Sequence, residues 1–281
     1  RCLPLTVKRK FRLRNLPFTI LLLLLVFFTI FPFLWMISTS LKYDAQVFTN
    51  PIQWIPNPVN WNNYLRVWQD IPFLTYYKNT AIVSVCGTAL QVLCCSLAAY
   101  AFAKLRFFGK NALFLVFLAT MMVPWHTIMI PQYILMGQFH MTDRLVTLIL
   151  MQAFSAFGIF LMRQFFMGLP NELREAGKID GAGEFRIFWQ IMLPQATPGI
   201  ATLTIFTFIG QWNDYISPLI YLNSPELYTL QLGLKMFAGQ YTMQYALTMA
   251  GTVCAMVPIF LVYLIFEKQI TQGIAFTGMK G

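Results

Sequence analysis

The feature that most constrains this chain is a series of six long stretches that contain no Asp, Glu, Lys or Arg. They run over residues 15–41, 79–103, 111–142, 145–162, 187–213 and 236–266. A helix needs about 20 apolar residues to cross the hydrocarbon core, and charges there are costly, so each stretch with its flanks suits a membrane span. The chain is 58% hydrophobic and only 11% charged, which excludes an ordinary soluble domain. We therefore predict an all-α integral membrane protein. Its six transmembrane helices are expected near 16–37, 80–103, 112–134, 145–166, 197–220 and 246–267.

The basic residues predict how these spans are oriented. With the N-terminus inside, the inner segments hold 15 Lys and Arg and the outer segments hold 5, out of 20 in all. The positive-inside rule then places both termini in the cytoplasm. The net charge of +10 is explained in the same way, so no nucleic-acid partner is expected. The predicted domains are a basic cytoplasmic N-terminus over 1–15, a six-helix membrane domain over 16–268 and a cytoplasmic tail over 269–281.

Proline and aromatic residues mark irregular places in this plan. Pro124 and Pro131 in the third span and Pro258 in the sixth are expected to kink or break their helices. The outer segment 43–77 is rich in Trp, Tyr and Pro. Such a segment is either an interfacial loop or a docking surface for an external partner, and the sequence leaves both open.

Motifs for bond chemistry are absent from the sequence. No phosphate-binding loop occurs, because Gly109-Lys110 lacks both the upstream glycine and the following hydroxyl residue. The cysteines and the two histidines, His126 and His140, have no metal-ligand or catalytic spacing. We predict no catalytic residue, no metal ligand and no cofactor in this chain. Of the acidic residues, only Asp214 comes near a span, which disfavours an ion-coupled carrier.

The internal loop over 169–198 predicts a helix, a turn and a second helix. Asn171 is a candidate N-cap, and Gly181 can end the first helix in a left-handed conformation. A second helix is expected near 183–192, ending before Pro194. Apolar residues fall at helical spacing on both helices, namely Leu173, Ala176 and Ile179 on the first and Phe185, Phe188, Trp189 and Met192 on the second. Such an element docks into a groove on another protein or lies on the membrane surface, and periodicity alone does not decide.

The residues of this loop resemble a known family. The run Glu175-Ala176-Gly177-x-x-Asp180-Gly181-Ala182, followed by Ile191-x-Leu193-Pro194 and Pro198, resembles the E-A-A loop of ABC importer permeases. The resemblance implies a type I importer permease fold whose loop forms a coupling helix and inserts into a cleft on a separate ATPase subunit. It implies ATPase-coupling roles for Glu175, Ala176, Gly177, Asp180, Gly181 and Ala182. Gly177 departs from the family, which usually has a second Ala there.

Motifs outside the loop are similar to the carbohydrate branch of these permeases. They are Trp35 to Lys42, Asn60-Trp61-x-x-Tyr64, Ala98 to Ala103, Trp212-Asn213-Asp214-Tyr215 and the tail from Gln272 to Gly281. They look like the second, six-helix permease of the maltose and glycerol-phosphate type. That implies half of the translocation pathway of an ATP-driven, binding-protein-dependent sugar importer. It also implies a bacterial or archaeal plasma (inner) membrane.

The same resemblance implies several partners and a division of labour. The partners are a second permease, two ATPases that bind ATP and Mg, an extracytoplasmic solute-binding protein, the sugar and the lipid membrane. Polar and aromatic side chains near the end of the fifth span are candidates for the substrate pathway, namely Gln211, Trp212, Asn213, Asp214 and Tyr215. Packing between helices and an aromatic belt explain the same residues equally well. A permease for polyamine or phosphate, a stand-alone carrier or channel, and a non-transporting scaffold are the alternative functions.

Overall fold

The computed structural model describes residues 16–237 and 244–278, and helices account for most of them. The predicted basic segment 1–15 and the last residues of the tail, 279–281, lie outside the described residues. The α-helices are α1 Leu16–Ser40, α2 Asp44–Val47, α3 Asn62–Gln69, α4 Phe73–Lys104, α5 Lys110–Thr120, α6 Trp125–Gln138, α7 Leu145–Met151, α8 Ala156–Gly168, α9 Glu172–Ile179, α10 Glu184–Ile187, α11 Leu193–Gln195, α12 Thr197–Trp212, α13 Ile216–Tyr221, α14 Leu230–Met236 and α15 Tyr245–Gly278. A π-helical turn, Phe188–Met192, joins α10 to α11, and a 3₁₀ turn spans Pro225–Leu227. The prediction of an all-α fold is confirmed.

Three helices are long and apolar enough to cross a membrane without a break. They are α1, α4 and the part of α15 from Tyr245 to Lys268. Three further spans are possible only as bent pairs: α5 with α6 at 98°, α7 with α8 at 48°, and Glu184–Gln195 with α12 at 80°. The described chain therefore offers three to six spans, which accommodates the six predicted from the charge-free stretches.

The breaks have local causes that the sequence revealed only in part. The predicted break at Pro124 is confirmed, because Pro124 is extended, with φ −60° and ψ 132°, and immediately precedes α6. The break between α7 and α8 was missed; there Ser155 accepts a hydrogen bond of 3.2 Å from the Gly158 N–H and starts a new helix. Pro131 and Pro258 do not break their helices, because both lie inside uninterrupted helices, and a kink at either residue stays a prediction. Spans tolerate proline where neighbouring groups satisfy the freed carbonyl.

Helix α4 forms the centre of the fold. It packs against α7, α8 and α12 and also touches α3, α5 and α14. Its C-terminal half enters one buried cluster with Tyr100 and Phe102, and Phe73 at its N-terminal end enters a second cluster with Trp212. Small and polar residues on its middle turns, such as Gly87, allow this close approach, because lipid offers no hydrophobic drive to hold helices together.

Two separated sequence motifs meet at the C-terminal end of α1. Asn63 on α3 is buried, and its side-chain amide donates to the carbonyls of Ser40 at 2.9 Å and Lys42 at 2.7 Å. The Ser40 hydroxyl lies 2.8 Å from the Tyr64 hydroxyl. These contacts satisfy carbonyl groups that a helix C-terminus leaves unpaired. The segment after α1 is therefore a folded joint, and its helix α3 packs on α15 and α4.

Candidate functional site

The loop over 169–198 folds as a helix, a tight turn and a second, irregular helix. Gly181 has a φ of +77°, so the predicted left-handed end of the first helix is confirmed. Asn171 precedes α9 but caps nothing with its side chain; its Oδ1 instead accepts a hydrogen bond of 2.7 Å from the Lys104 ammonium. The second helix continues past Pro194 to Gln195, because the preceding π turn shifts the hydrogen-bond ladder where proline lacks an N–H.

The apolar faces predicted for the loop divide differently between core and solvent. On α9 the buried side is formed by Leu173 and Gly177, whereas Ala176 is exposed and Ile179 is 87% exposed. On the second helix Phe188 and Met192 are buried in the core. Phe185 and Trp189 are exposed and stack on each other, with ring centroids 6.4 Å apart. The loop therefore leaves three apolar side chains exposed, Ile179, Phe185 and Trp189, which are together called its apolar patch.

Gly177 sets the closeness of the two helices of the loop. A Cβ atom at this position would lie 2.9 Å from Ile191 Cδ1 and 3.0 Å from Ile187 Cγ1. The absence of a side chain therefore lets α9 pack directly on the helix that follows. Of the other predicted coupling residues, Glu175, Ala176, Asp180 and Gly181 are exposed, and Ala182 is half-buried against the core.

Glu184 is the polar centre of the loop, and the sequence analysis did not identify it. Its carboxylate makes a two-pronged ion pair with Arg174 of α9, in which Arg174 Nε lies 3.1 Å from Oε2. It also pairs with Lys178 at 3.0 Å and accepts a hydrogen bond of 2.8 Å from the Tyr100 hydroxyl. The Arg174 guanidinium, with help from Lys178 and Tyr100, lowers the pKa of Glu184 to about 2. These ion pairs thus hold the first helix of the loop, α9, against the start of the second helix, α10.

Two side chains of helix α4 form hydrogen bonds with this loop. Tyr100 binds Glu184, and Lys104 donates to the Leu169 carbonyl and to Asn171, both at 2.7 Å. Tyr100 and Lys104 are four residues apart and so lie on one face of the helix. The loop is therefore attached to the central helix of the bundle as well as to its chain neighbours α8 and α12.

A polar cavity of about 470 Å³ lies beside the breaks of two of these bent pairs, α5–α6 and α7–α8, and beside the break between α12 and α13. It is bounded by helix α4, by α6 near the 121–124 break, by the α7–α8 break and by the α12–α13 break. Its polar lining residues are Gln91, Gln132, Gln152, Ser155, Asp214 and Ser217, and its apolar lining residues are Trp125, Ile128, Leu148, Met151 and Phe154. Irregular backbone at membrane depth is tolerated where it lines a cavity, which is the arrangement seen here.

Hydrogen bonds organise the cavity wall. Asp214 accepts from the Ser217 N–H at 3.1 Å and from the Gln152 amide at 3.3 Å. The Trp125 indole N–H donates to the Gln132 side chain at 3.3 Å. Three helix breaks therefore contribute side chains that are already oriented by one another.

The five predicted pathway residues do not form one site. Of these, Asp214 lines the cavity. Gln211 is buried between α4 and α12, 3.5 Å from the Gln91 amide, and Trp212 is only 2% exposed with its indole N–H on the Ala255 carbonyl. The Asn213 side-chain amide donates to the Ile209 carbonyl, and Tyr215 lines a separate pocket with Leu219 and Tyr228. The cavity residues that were missed come from four distant segments, and only the tertiary fold brings them together.

A bundle of bent spans around a polar cavity, with a folded polar loop gripped at one end, defines a membrane transport protein. The chain belongs to the family described as the binding-protein-dependent transport system inner membrane component, whose pattern matches residues 91–275. It is thus a permease subunit, as the E-A-A resemblance indicated.

Several characterised relatives are similar over most of the chain. An arabinooligosaccharides transport system permease of Halalkalibacterium halodurans is 30% identical, over 92% of this chain and 93% of the relative. A lactose transport system permease of Rhizobium radiobacter is 32% identical, over 89% and 91%. A crystal structure of a bacterial ABC transporter that imports the acidic polysaccharide alginate contains a similar chain, with a TM-score of 0.82 and 25% identity over 92% of this chain and 98% of that one.

Proposed function

We propose that this chain is the second permease subunit of an ATP-driven, binding-protein-dependent sugar importer. The single observation that carries the proposal is the loop over 169–198, in which an apolar patch is exposed while its base is gripped by α4. The patch of Ile179, Phe185 and Trp189 suits a groove on another protein. The sugar assignment is supported by the relatives, which are named for arabinooligosaccharides, lactose and diacetylchitobiose.

The proposed assembly has this chain and a second permease as the two halves of one pathway. Two ATPases bind the coupling loops and carry ATP and Mg, and an extracytoplasmic binding protein delivers the sugar. This chain performs no bond chemistry. It spans the plasma membrane with both termini in the cytoplasm and divides into the 1–15, 16–268 and 269–281 regions. Glu175, Ala176, Gly177, Asp180, Gly181 and Ala182 contact the ATPase.

The proposed mechanism is a shift between two states that ATP stabilises differently. ATP draws the ATPases together, and each coupling loop moves with the subunit that it contacts. Because the Tyr100–Glu184 and Lys104–Asn171 contacts join the loop to α4, that motion reaches the helix that carries Gln91 into the cavity. The cavity then opens to the outside to receive sugar, and hydrolysis returns it to the inward-facing state.

The proposal is tested by purifying the tagged chain in mild detergent and identifying its partners by mass spectrometry. A phosphate-loop ATPase and a second permease are expected to co-purify. Ile179→Asp should release the ATPase and keep the second permease, since it places a charge in the patch. Ile55→Asp is the matched control, because Ile55 is 84% exposed but lies on the opposite, outer side. Recovery of the chain alone would contradict the proposal.

A further inference from the structure

We propose that the cavity selects uncharged polyhydroxylated solutes and rejects acidic saccharides, with Asp214 as the residue that excludes anions. The inference rests on the proposed import function and assigns a substrate class to the cavity. It concerns the wall that this chain contributes.

The chemistry of the lining favours hydroxyl groups. The side chains of Gln91, Gln132 and Gln152 each present both a donor and an acceptor, and Ser155 and Ser217 add hydroxyls. A sugar hydroxyl is likewise both donor and acceptor, so it pairs with such groups in either direction. The Trp125 ring adds an apolar face against which the C–H face of a pyranose packs.

One charged group lines the cavity within the described residues, and it is acidic. The Asp214 carboxyl group is held at this wall by the Ser217 N–H and the Gln152 amide. No Lys, Arg or His is among the lining residues of the described chain. Recognition of a carboxylate in a partly desolvated site needs a cation or several donors aimed at it, and a nearby carboxylate opposes it. A uronic acid would therefore meet repulsion here without a compensating partner.

Internal pairing uses only one half of each amide, since Gln132 and Gln91 accept through Oε1 and Gln152 donates through Nε2. Gln211 Oε1 is buried without a hydrogen-bond partner, although its Nε2 lies 3.5 Å from Gln91 Oε1. The Gln91 side chain lines the cavity, and its contact with Gln211 on the side away from the cavity is long and weak. A buried polar atom left unpaired is costly. A solute hydroxyl that engages Gln91 would allow this amide pair to rearrange and satisfy it.

A polycation is a poor match for the same wall. A single carboxyl group is present, and two donors already engage it. Binding a chain of ammonium groups needs several acidic or aromatic sites in sequence. The cavity thus fits a neutral saccharide better than either an anionic saccharide or a polyamine.

The charge of the cavity can be probed without any sugar, in the assembled importer. Ser217→Cys, in a background free of other cysteines, places a thiol beside Asp214. The thiol is treated with neutral, cationic and anionic methanethiosulfonate reagents. The anionic reagent should modify it at least tenfold more slowly than either of the others. Asp214→Asn should reduce the cationic-to-anionic rate ratio at least fivefold. Glu226→Gln, which removes an exposed acid outside the cavity, should leave the ratio unchanged. Equal rates for all three reagents in the parent would overturn the inference.

Uptake by proteoliposomes that contain the assembled importer and its binding protein supplies the second measurement. The neutral disaccharide that the binding protein retains best is compared with its uronic-acid analogue and with spermidine. Gln91→Leu should lower neutral uptake at least tenfold while binding-protein-stimulated ATP hydrolysis persists. Unchanged uptake in Gln91→Leu, or preferred uptake of the uronate or spermidine, would overturn the inference and leave the importer intact. Absence of uptake of any sugar by the parent would instead contradict the proposed function.

Discussion

The Tyr100 hydroxyl donates a hydrogen bond of 2.8 Å to the Glu184 carboxylate, and this contact joins the central helix α4 to the loop over 169–198. We predict that Tyr100→Phe reduces sugar transported per ATP hydrolysed at least threefold, because loop motion reaches α4 less faithfully. Assembly and thermal stability should change little, since the ring stays packed on Phe166 and Phe188. Tyr228→Phe is the matched control, because it removes a hydroxyl that contacts the Asn223 carbonyl instead of Glu184. A parallel loss of assembly would mean that Tyr100 has only a structural role.

The ion pair of Glu184 should tolerate acid. Its pKa is lowered to about 2, from a usual value of 4.5, by Arg174 first of all. The stability it contributes is therefore complete above about pH 4.5 and is lost as the pH falls through about 2. We predict that the difference in melting temperature between the parent and Glu184→Gln is constant from pH 8 to 5 and shrinks below pH 4.5. A difference that already disappears between pH 7 and 6 would contradict this reading.

Gly181→Pro should abolish transport and leave membrane insertion intact. Proline requires a φ near −65°, whereas Gly181 has +77°, so the turn that ends α9 cannot form. Gly183→Pro is the matched control two residues away, because Gly183 already has a φ of −69°. Radioactive sugar uptake and membrane fractionation are the measurements. Normal uptake by Gly181→Pro would show that the turn is dispensable.

Gly177→Ala should behave nearly as the parent does, for two opposing reasons. Alanine gains about 1 kcal/mol in helix propensity over glycine. Its Cβ must displace Ile191 Cδ1 and shift Ile187, which costs a similar amount, since the first contact is the mobile end of a side chain. Gly177→Leu should instead force α9 off the following helix and lose the ATPase in pull-downs. Equal behaviour of the two variants would contradict the packing seen here.

Asn63→Leu should destabilise the packing of α3 against the C-terminal end of α1. It leaves two buried carbonyls, of Ser40 and Lys42, without their donor, at a cost of about 1–3 kcal/mol each. The melting temperature of the purified chain in detergent should drop by several degrees. Asn62→Leu, at the exposed neighbouring position, should have little effect. A comparable drop in both variants would assign the effect to the surface rather than to the joint.

The sequence predicts the parts of this fold that depend on local patterns. Charge-free length predicts the spans, Pro124 predicts a break, and Gly181 predicts the left-handed turn. These features are local because each depends only on neighbouring residues, through the thickness of the bilayer or the backbone conformation that a residue allows. Glu184 escaped notice because Arg174 and Lys178 reach it across a turn rather than at helical spacing, and its third partner, Tyr100, is 84 positions away.

The cavity was predictable only at Asp214. A break without proline, as at Ser155, leaves a faint signature, because a serine cap is common in many contexts. Trp212 is the opposite case, a residue predicted for the substrate pathway that the fold places in the core. Its indole is polar enough to suggest a solute contact, yet the Ala255 carbonyl already accepts its hydrogen bond in the core. Side-chain chemistry alone does not reveal which neighbour satisfies it.

The close contact at Gly87 also has a mechanical consequence for α4. A Cβ there would lie 2.3 Å from Gln211 Oε1, so α4 and α12 are in close contact at this turn. At 1.5 Å per residue, Tyr100 lies about 20 Å from this turn in one direction and Asn79 about 12 Å in the other. A rigid α4 pivoting at Gly87 would turn a 3 Å push at Tyr100 into an opposite swing of about 2 Å at Asn79. The Asn79 amide donates to the carbonyls of Glu226 and Tyr228. The segment over 226–228 would therefore move in the direction opposite to that of the loop bound at Tyr100.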